Sequence, residues 1–209
     1  MCKLYLLGGE NVRKRSALEV NERAFQDAVE HPAVAVFPWA RASFDRVYRK
    51  RKLLCDYLVS LGASSVDFVE YSDSKVTIGK KIASSNLIYL TGGLVNALIE
   101  RLSKIEVDGM LRDYVGVIVG RSAGALALCR RCVITGRSNK QIRVVEGLGL
   151  TDFTLKAHYK PEKDVALKQL SRSGKIYAVP SRSAIVYEGG IRQVIGKAYL
   201  FENGEKIKL

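Results

Sequence analysis

Short apolar runs rich in β-branched residues, bounded by Gly, Pro or Asn, recur along the chain, and between most of them lie longer stretches with helical periodicity. This alternation predicts an α/β fold: a mostly parallel central sheet with helices on both faces. The predicted strands are Leu4 to Leu7, Val34 to Phe37, Ser65 to Val69, Leu87 to Leu90, Val115 to Val119 and Cys132 to Thr135. Later runs at Ile176 to Val179, Ala184 to Tyr187 and Lys197 to Phe201 predict short antiparallel strands at a C-terminal edge. Over 43–61, Val47, Leu54, Tyr57, Leu58 and Leu61 share one helical face, with Ser43 as N-cap and Gly62 as stop. A second stripe runs through Leu94, Val95, Leu98, Ile99 and Leu102. A third helix, Pro161 to Arg172, carries acids early, bases late and Gly174 just past its end.

In open parallel sheets, ligands bind beyond the carboxyl ends of the strands. Three segments occupy such places: Gly8-Gly9, Thr91-Gly92-Gly93, and Gly120 to Ala125. The last is a G-x-S-x-G motif, Gly120-Arg121-Ser122-Ala123-Gly124, set between a β-branched run and an Ala/Leu helix. Composition alone produces that motif in about one such chain in ten. Its position is what gives it meaning, because glycines on either side of a serine let the backbone turn sharply and expose the hydroxyl. The alternative is a tight strand–helix turn with a capping serine.

A serine needs a base to take its proton, and the chain has only two histidines. His31 precedes the strand Val34 to Phe37 and so lies at an amino end of the sheet. His158, in the loop Lys156-Ala-His-Tyr-Lys160, lies on the plausible side and is the candidate base. An oxyanion hole needs two converging backbone N–H groups. Ala123, after the serine, offers one, and the glycine pair after Leu90 offers another at Gly93, unless that pair is a plain turn.

Composition narrows the picture further. At 209 residues and 47% hydrophobic, the chain reads as a single α/β hydrolytic domain, 1–209. There is no apolar run of membrane-spanning length and no signal peptide, which points to a soluble, cytoplasmic protein; a monomer or homodimer is expected, and nothing in the sequence selects between them. Four cysteines make no disulfide framework. Cys129 and Cys132 form half a zinc site at most and read as buried helix-end thiols, so no metal is expected. The balance of 34 Lys+Arg against 21 Asp+Glu gives a net charge of +13. Part of the excess, Arg46, Arg49, Lys50, Arg51 and Lys52, falls in the predicted 43–61 helix, with Phe44, Tyr48 and Tyr57 on its apolar stripe. With no nucleic-acid motif beside it, this reads as a solvated basic face rather than a nucleic-acid grip.

Taken together, Leu90-Thr-Gly-Gly93, Gly120-Arg-Ser-Ala-Gly-Ala125, and Gly147-Leu-Gly-Leu-Thr-Asp-Phe153 followed by His158-Tyr159 resemble the peptidase E and cyanophycinase-like serine peptidases. The resemblance covers nearly the whole chain and implies a class I glutamine-amidotransferase-like fold. It also implies cytoplasmic, cofactor-free cleavage of small peptides, often with an N-terminal aspartate, through an acyl-enzyme. On it, Ser122 matches the nucleophile, His158 the base, and Gly93 and Ala123 the oxyanion donors.

The departures fall at defined positions. The family's glycine pair is commonly followed by Asn; here Leu94 stands there. The positions where the family's catalytic acid has been placed hold Ser181, in Val179-Pro-Ser-Arg182, and Arg137, neither of which orients an imidazole as a carboxylate would. Glu146, Asp152 or Glu188 could substitute, and nothing in the spacing selects one. Losing the carboxylate can cost on the order of 10⁴ in turnover. Two readings follow: a serine peptidase, with Arg121 and Arg182 as candidate cations for an acidic substrate side chain, or a noncatalytic binding or regulatory protein that kept the scaffold and lost the acid. An amidotransferase is disfavoured, because that chemistry in this fold uses cysteine where the chain has Ser122.

Overall fold

The structure, a computed structural model, describes residues 2–135 and 142–209. In chain order the elements are β1 (Lys3–Leu7), α1 (Leu18–Ala28), β2 (Ala33–Phe37), α2 (Arg51–Ser60), β3 (Ser65–Phe68), α3 (Lys75–Ala83) and β4 (Leu87–Leu90). There follow α4 (Val95–Lys104), α5 (Val107–Asp113), β5 (Val117–Arg121), α6 (Ala123–Leu128), β6 (Arg131–Thr135), β7 (Ile142–Glu146) and β8 (Thr154–Ala157). The chain closes with α7 (Asp164–Leu170), β9 (Ile176–Val179), β10 (Ala184–Glu188), β11 (Ile191–Ile195), β12 (Tyr199–Glu202) and β13 (Glu205–Lys208).

The strands form two mixed sheets. A seven-stranded sheet runs β11-β10-β1-β5-β4-β2-β3. Its members from β1 to β3 pair in parallel, and β10 and β11 add antiparallel at one edge. Side chains alternate across this sheet as strand geometry requires. Leu4, Leu6, Phe37, Ile88, Leu90 and Ile118 face one buried cluster, while Tyr5, Leu7, Val36, Leu87, Tyr89 and Val119 face the other. Helices α1 and α2 cover the second face through Val20, Phe25, Leu54 and Leu58. Helices α3 to α6 cover the first, where Cys132, Leu155 and Val179 of the second sheet join the same cluster.

That second sheet, β13-β12-β9-β8-β6-β7, departs from expectation. The run Cys132 to Thr135 belongs to it rather than to the central sheet. The three C-terminal runs do not form one edge either. β9 pairs in parallel with β8 inside the second sheet, β10 lies antiparallel to β1 in the first, and β12 returns to β9. The chain passes between sheets at Pro180 to Ser183.

The expected 43–61 helix is also corrected. Only Arg51–Ser60 is α-helical, Ser43 caps nothing, and Asp45 to Val47 form a single 3-10 turn. The reason is tertiary: the Asp45 carboxylate accepts backbone N–H groups of Tyr71 and Ser72, and Phe44 packs edge-on to Tyr71 beneath the Arg101 guanidinium. These contacts hold 44–47 against the loop after β3. The basic run therefore straddles a loop and a helix start rather than one helical face. Within it Arg51 is tied to Glu70 and stacks over Phe68. Among the described residues no helix is long and apolar enough to cross a membrane.

Candidate active site

Strand register brings the three glycine-bearing segments together. Leu7 of β1 lies opposite Arg121 of β5, and Leu90 of β4 opposite Gly120, so these strands end side by side. Ser122 is the hinge between β5 and α6, with φ 54° and ψ −104°. This conformation is costly for a residue with a side chain and is held from both sides. The Ser122 N–H donates to Leu7 O at 2.8 Å, extending the β1–β5 ladder, and its carbonyl accepts the Leu126 N–H at 2.9 Å, opening α6. The flanking glycines permit the turn. A Cβ on Gly124 would lie 2.5 Å from Leu90 O, and one on Gly120 would lie 2.6 Å from Ala125 N.

His158 follows β8, itself at φ 50°, and its N–H donates to Gly8 O at 2.8 Å. The imidazole reaches the serine: His158 Nε2 is 2.7 Å from Ser122 Oγ. Its other nitrogen, Nδ1, lies 3.0 Å from Ser181 Oγ. Gly9 makes the space, since a Cβ there would sit 2.2 Å from His158 Cε1. Sequence reasoning marked the Gly8-Gly9 segment but assigned it no partner. The glycines of 92–93 pass the serine closely. A Cβ on Gly92 would be 3.2 Å from Ser122 Cβ, and Gly93 is pressed on Ala40, whose carbonyl accepts the Leu94 N–H at 2.6 Å. Ala123 begins α6, where helix geometry leaves the first N–H groups without intrahelical acceptors. Gly93 and Ala123 border one cavity with Ser122 and His158.

Two cavities meet at this pair. One, about 680 Å³, is lined by Arg13, Arg41, Arg49, Lys50 and Arg121, with Glu10 as the sole carboxylate among the described residues. The Glu10 carboxylate accepts from Tyr57 at 2.8 Å, Tyr89 at 3.2 Å and Asn21 at 3.2 Å. Arg121 is 6% exposed and lies 5.8 Å from the centre of the Tyr89 ring. The other cavity, about 690 Å³, is mostly apolar, with Leu94, Val95, Leu126 and Ile134 on its walls together with Lys156, Lys160 and Lys163. Lys156 is buried, and its ammonium donates to Ala157 O. Burial, then repulsion from Lys163, pushes it down to about 8.

His158 is shifted below the ordinary histidine value, first by desolvation and then by the positive charges of Lys156, Arg121 and Lys160. No carboxylate contacts it among the described residues. The three substitutes considered from sequence are engaged elsewhere: Glu146 with Arg131, Asp152 with Arg192 and Glu188 with Lys3. Arg137 lies outside the described residues. Arg182 is exposed on the turn at φ 71° and borders neither cavity. Arg13, Arg41, Arg49 and Lys50, which do border one, carried no sequence signal beyond their charge. His31 is exposed at the amino end of β2, 3.2 Å from Gly62 O. Cys129 is buried at the end of α6 and Cys132 is buried in β6; among the described residues no cluster of three or more metal-ligating side chains occurs.

Fold and site together define an α/β protein with a serine on a strained strand–helix turn and a histidine in contact with it at the carboxyl edge of the sheet. The family model of peptidase family S51 matches residues 4–195. The chain belongs to that family and is by class a peptidase. It is similar to an uncharacterized peptidase of Listeria monocytogenes strain EGD-e, 25% identical over 153 residues, covering 67% of this chain and 74% of the relative. Among solved structures it is similar to a peptidase from an acI-B1 Actinobacterium, with TM-score 0.76 and 20% identity, covering all of this chain and 94% of the other. It is also similar to a protein of Listeria monocytogenes EGD-e provisionally named peptidase E, with TM-score 0.71 and 21% identity, covering 93% of this chain and 98% of the other.

Proposed function

We propose that the chain is a serine peptidase of the peptidase E type, cleaving small peptides with an acidic residue next to the scissile bond through a Ser122 acyl-enzyme. The observation that carries this is the 2.7 Å contact between Ser122 Oγ and His158 Nε2 on the strained turn. Ser122 Oγ attacks the scissile carbonyl as its proton passes to His158 Nε2. The N–H groups of Gly93 and Ala123 receive the developing oxyanion. His158 then returns the proton to the leaving amine, and a water activated by the same imidazole releases the acid.

Acidic preference is supported by the cavity in which five cations face one carboxylate, beside Ser122. The reading takes 1–209 as one hydrolytic domain, because β1, β4 and β5 of the first sheet and the end of β8 in the second all contribute to the site. A glutamine-amidotransferase-like scaffold fits the parallel strand order that carries the serine after β5. A cytoplasmic monomer or homodimer, without cofactor, completes it. A fluorophosphonate probe tests the mechanism: the wild type labels at Ser122, Ser122→Ala does not, and His158→Ala labels slowly. A wild type that resists labelling and cleaves no dipeptide overturns the proposal and favours a binding protein.

A further inference from the structure

We propose that the Ser181 hydroxyl is the positioning residue of this site, holding the His158 imidazole in the tautomer and orientation that Ser122 requires, in the place of a carboxylate. The inference rests on the Ser122–His158 reading and extends it to a Ser-His-Ser relay that is uncharged at rest.

Proton counting fixes the direction of both contacts. For Ser122 Oγ to donate to Nε2, that nitrogen must be bare, so the ring proton of the neutral imidazole sits on Nδ1. The Nδ1–H then donates to the acceptor 3.0 Å away, Ser181 Oγ. When Ser122 attacks, its proton moves to Nε2 and the imidazolium keeps Nδ1–H on Ser181. Nothing moves onto Ser181, which orients and does not exchange protons.

The pair is built into the backbone. Gly8 and Gly9, at the end of β1, bind both sides of it. Gly8 O accepts the His158 N–H, Gly8 N–H donates to Ser183 O at 2.9 Å, and Gly9 O accepts the Arg182 N–H at 2.8 Å. The turn bearing Ser181 and the loop bearing His158 are thus indexed to the same two residues. A Cβ on Gly9 would fall 2.4 Å from His158 Nδ1 and 3.0 Å from Ser181 Oγ, so the bare backbone there is the floor of this contact.

The charges that act on the imidazole come from several elements, Arg121 at the end of β5, Lys156 in β8 and Lys160 after it, and Glu10, which lines the same cavity, is held by Tyr57 and Tyr89. Cations dominate, so a neutral third member leaves the base weaker than in a carboxylate relay.

The test combines kinetics with nitrogen NMR of ring-labelled histidine, His158 being assigned by comparison with a His31→Asn variant. Expected for Ser181→Ala is a fall in kcat of about ten-fold or more with KM little changed, slower fluorophosphonate labelling, and loss of the uniform Nδ1–H tautomer. Ser181→Thr, which keeps the hydroxyl, should restore most of the rate. Ser181→Asp should move the acidic limb of kcat/KM to higher pH. An active wild type whose kcat, acidic limb and imidazole shifts are all unmoved in Ser181→Ala overturns the positioning role and leaves the peptidase reading intact. An inert, unlabelled wild type sinks the peptidase mechanism and the positioning role with it, even where the tautomer still responds to Ser181→Ala.

Discussion

Ser122 and His158 both sit in left-handed backbone, at φ 54° and 50°, although neither is glycine. Such conformations cost of order 1–3 kcal/mol each and persist only where the surroundings enforce them. Ser122→Gly should therefore be more stable than Ser122→Ala by about 1 kcal/mol while equally inactive, as read by urea denaturation alongside labelling. Equal stability would mean that the turn is not strained. Gly9→Ala is the converse case, because φ 155° and the 2.2 Å approach to His158 Cε1 leave no room for a methyl group. It should displace the imidazole and slow labelling of Ser122 more than ten-fold in a folded protein. Acid behaviour follows from the partial desolvation of the otherwise exposed His158 and from the cations around it. The acidic limb of kcat/KM reports the free base and should fall below the ordinary value of about 6.5. Replacing exposed Lys160 by Gln should move it upward. The sign for stability is the same: the unfolded chain takes up the proton first, so the fold loses stability as pH drops from the ordinary histidine value towards the depressed one.

At the scale of elements, the turn works only because α6 lies unusually close to the sheet. Gly124→Ala would press a methyl group onto the Leu90 carbonyl at 2.5 Å, where backbone cannot yield cheaply. A loss of about 1–3 kcal/mol is expected by thermal or urea denaturation, with labelling reduced in parallel. A neutral result would mean that helix and strand separate freely. This strand–turn–helix was legible because its signals agree: a buried β-branched run, a serine between glycines, and an apolar helix. The 43–61 segment failed because its apolar spacing is helical while long-range contacts of Asp45 and Phe44 decide its backbone, and no local pattern reports those. Strands β7, β11 and β13 were invisible for another reason. Their residues are half-buried or exposed, so no apolar run marks them, and only pairing with neighbours makes them strands. The Ser122–His158 contact could be approached from sequence by elimination among two histidines. From sequence Ser181 marks only the place of a missing acid, because a hydroxyl within reach of a histidine has no signature in spacing.

Across the whole molecule the charge is uneven in a way that bears on substrate choice. The chain carries +13, and the cavity beside Ser122 concentrates Arg13, Arg41, Arg49, Lys50 and Arg121 against a Glu10 already occupied by two tyrosines and an asparagine. Of these, Arg121 is buried, whereas Arg13, Arg41, Arg49 and Lys50 are exposed. A carboxylate entering the cavity would meet one desolvated cation and several solvated ones, and the two kinds differ in their response to salt. Exposed charges are screened over about 10 Å at 0.1 M ionic strength, buried ones much less. The rate on an Asp-X dipeptide should therefore fall several-fold between low and high salt, mainly through KM, while a neutral dipeptide of the same leaving residue changes little. Arg121→Ala should slow the aspartyl substrate selectively at every salt concentration, and Arg49→Gln should flatten the salt dependence without abolishing the preference. If Arg121→Ala slows acidic and neutral dipeptides equally, the arginine supports the turn rather than the substrate, and the preference must come from the exposed cations or not exist.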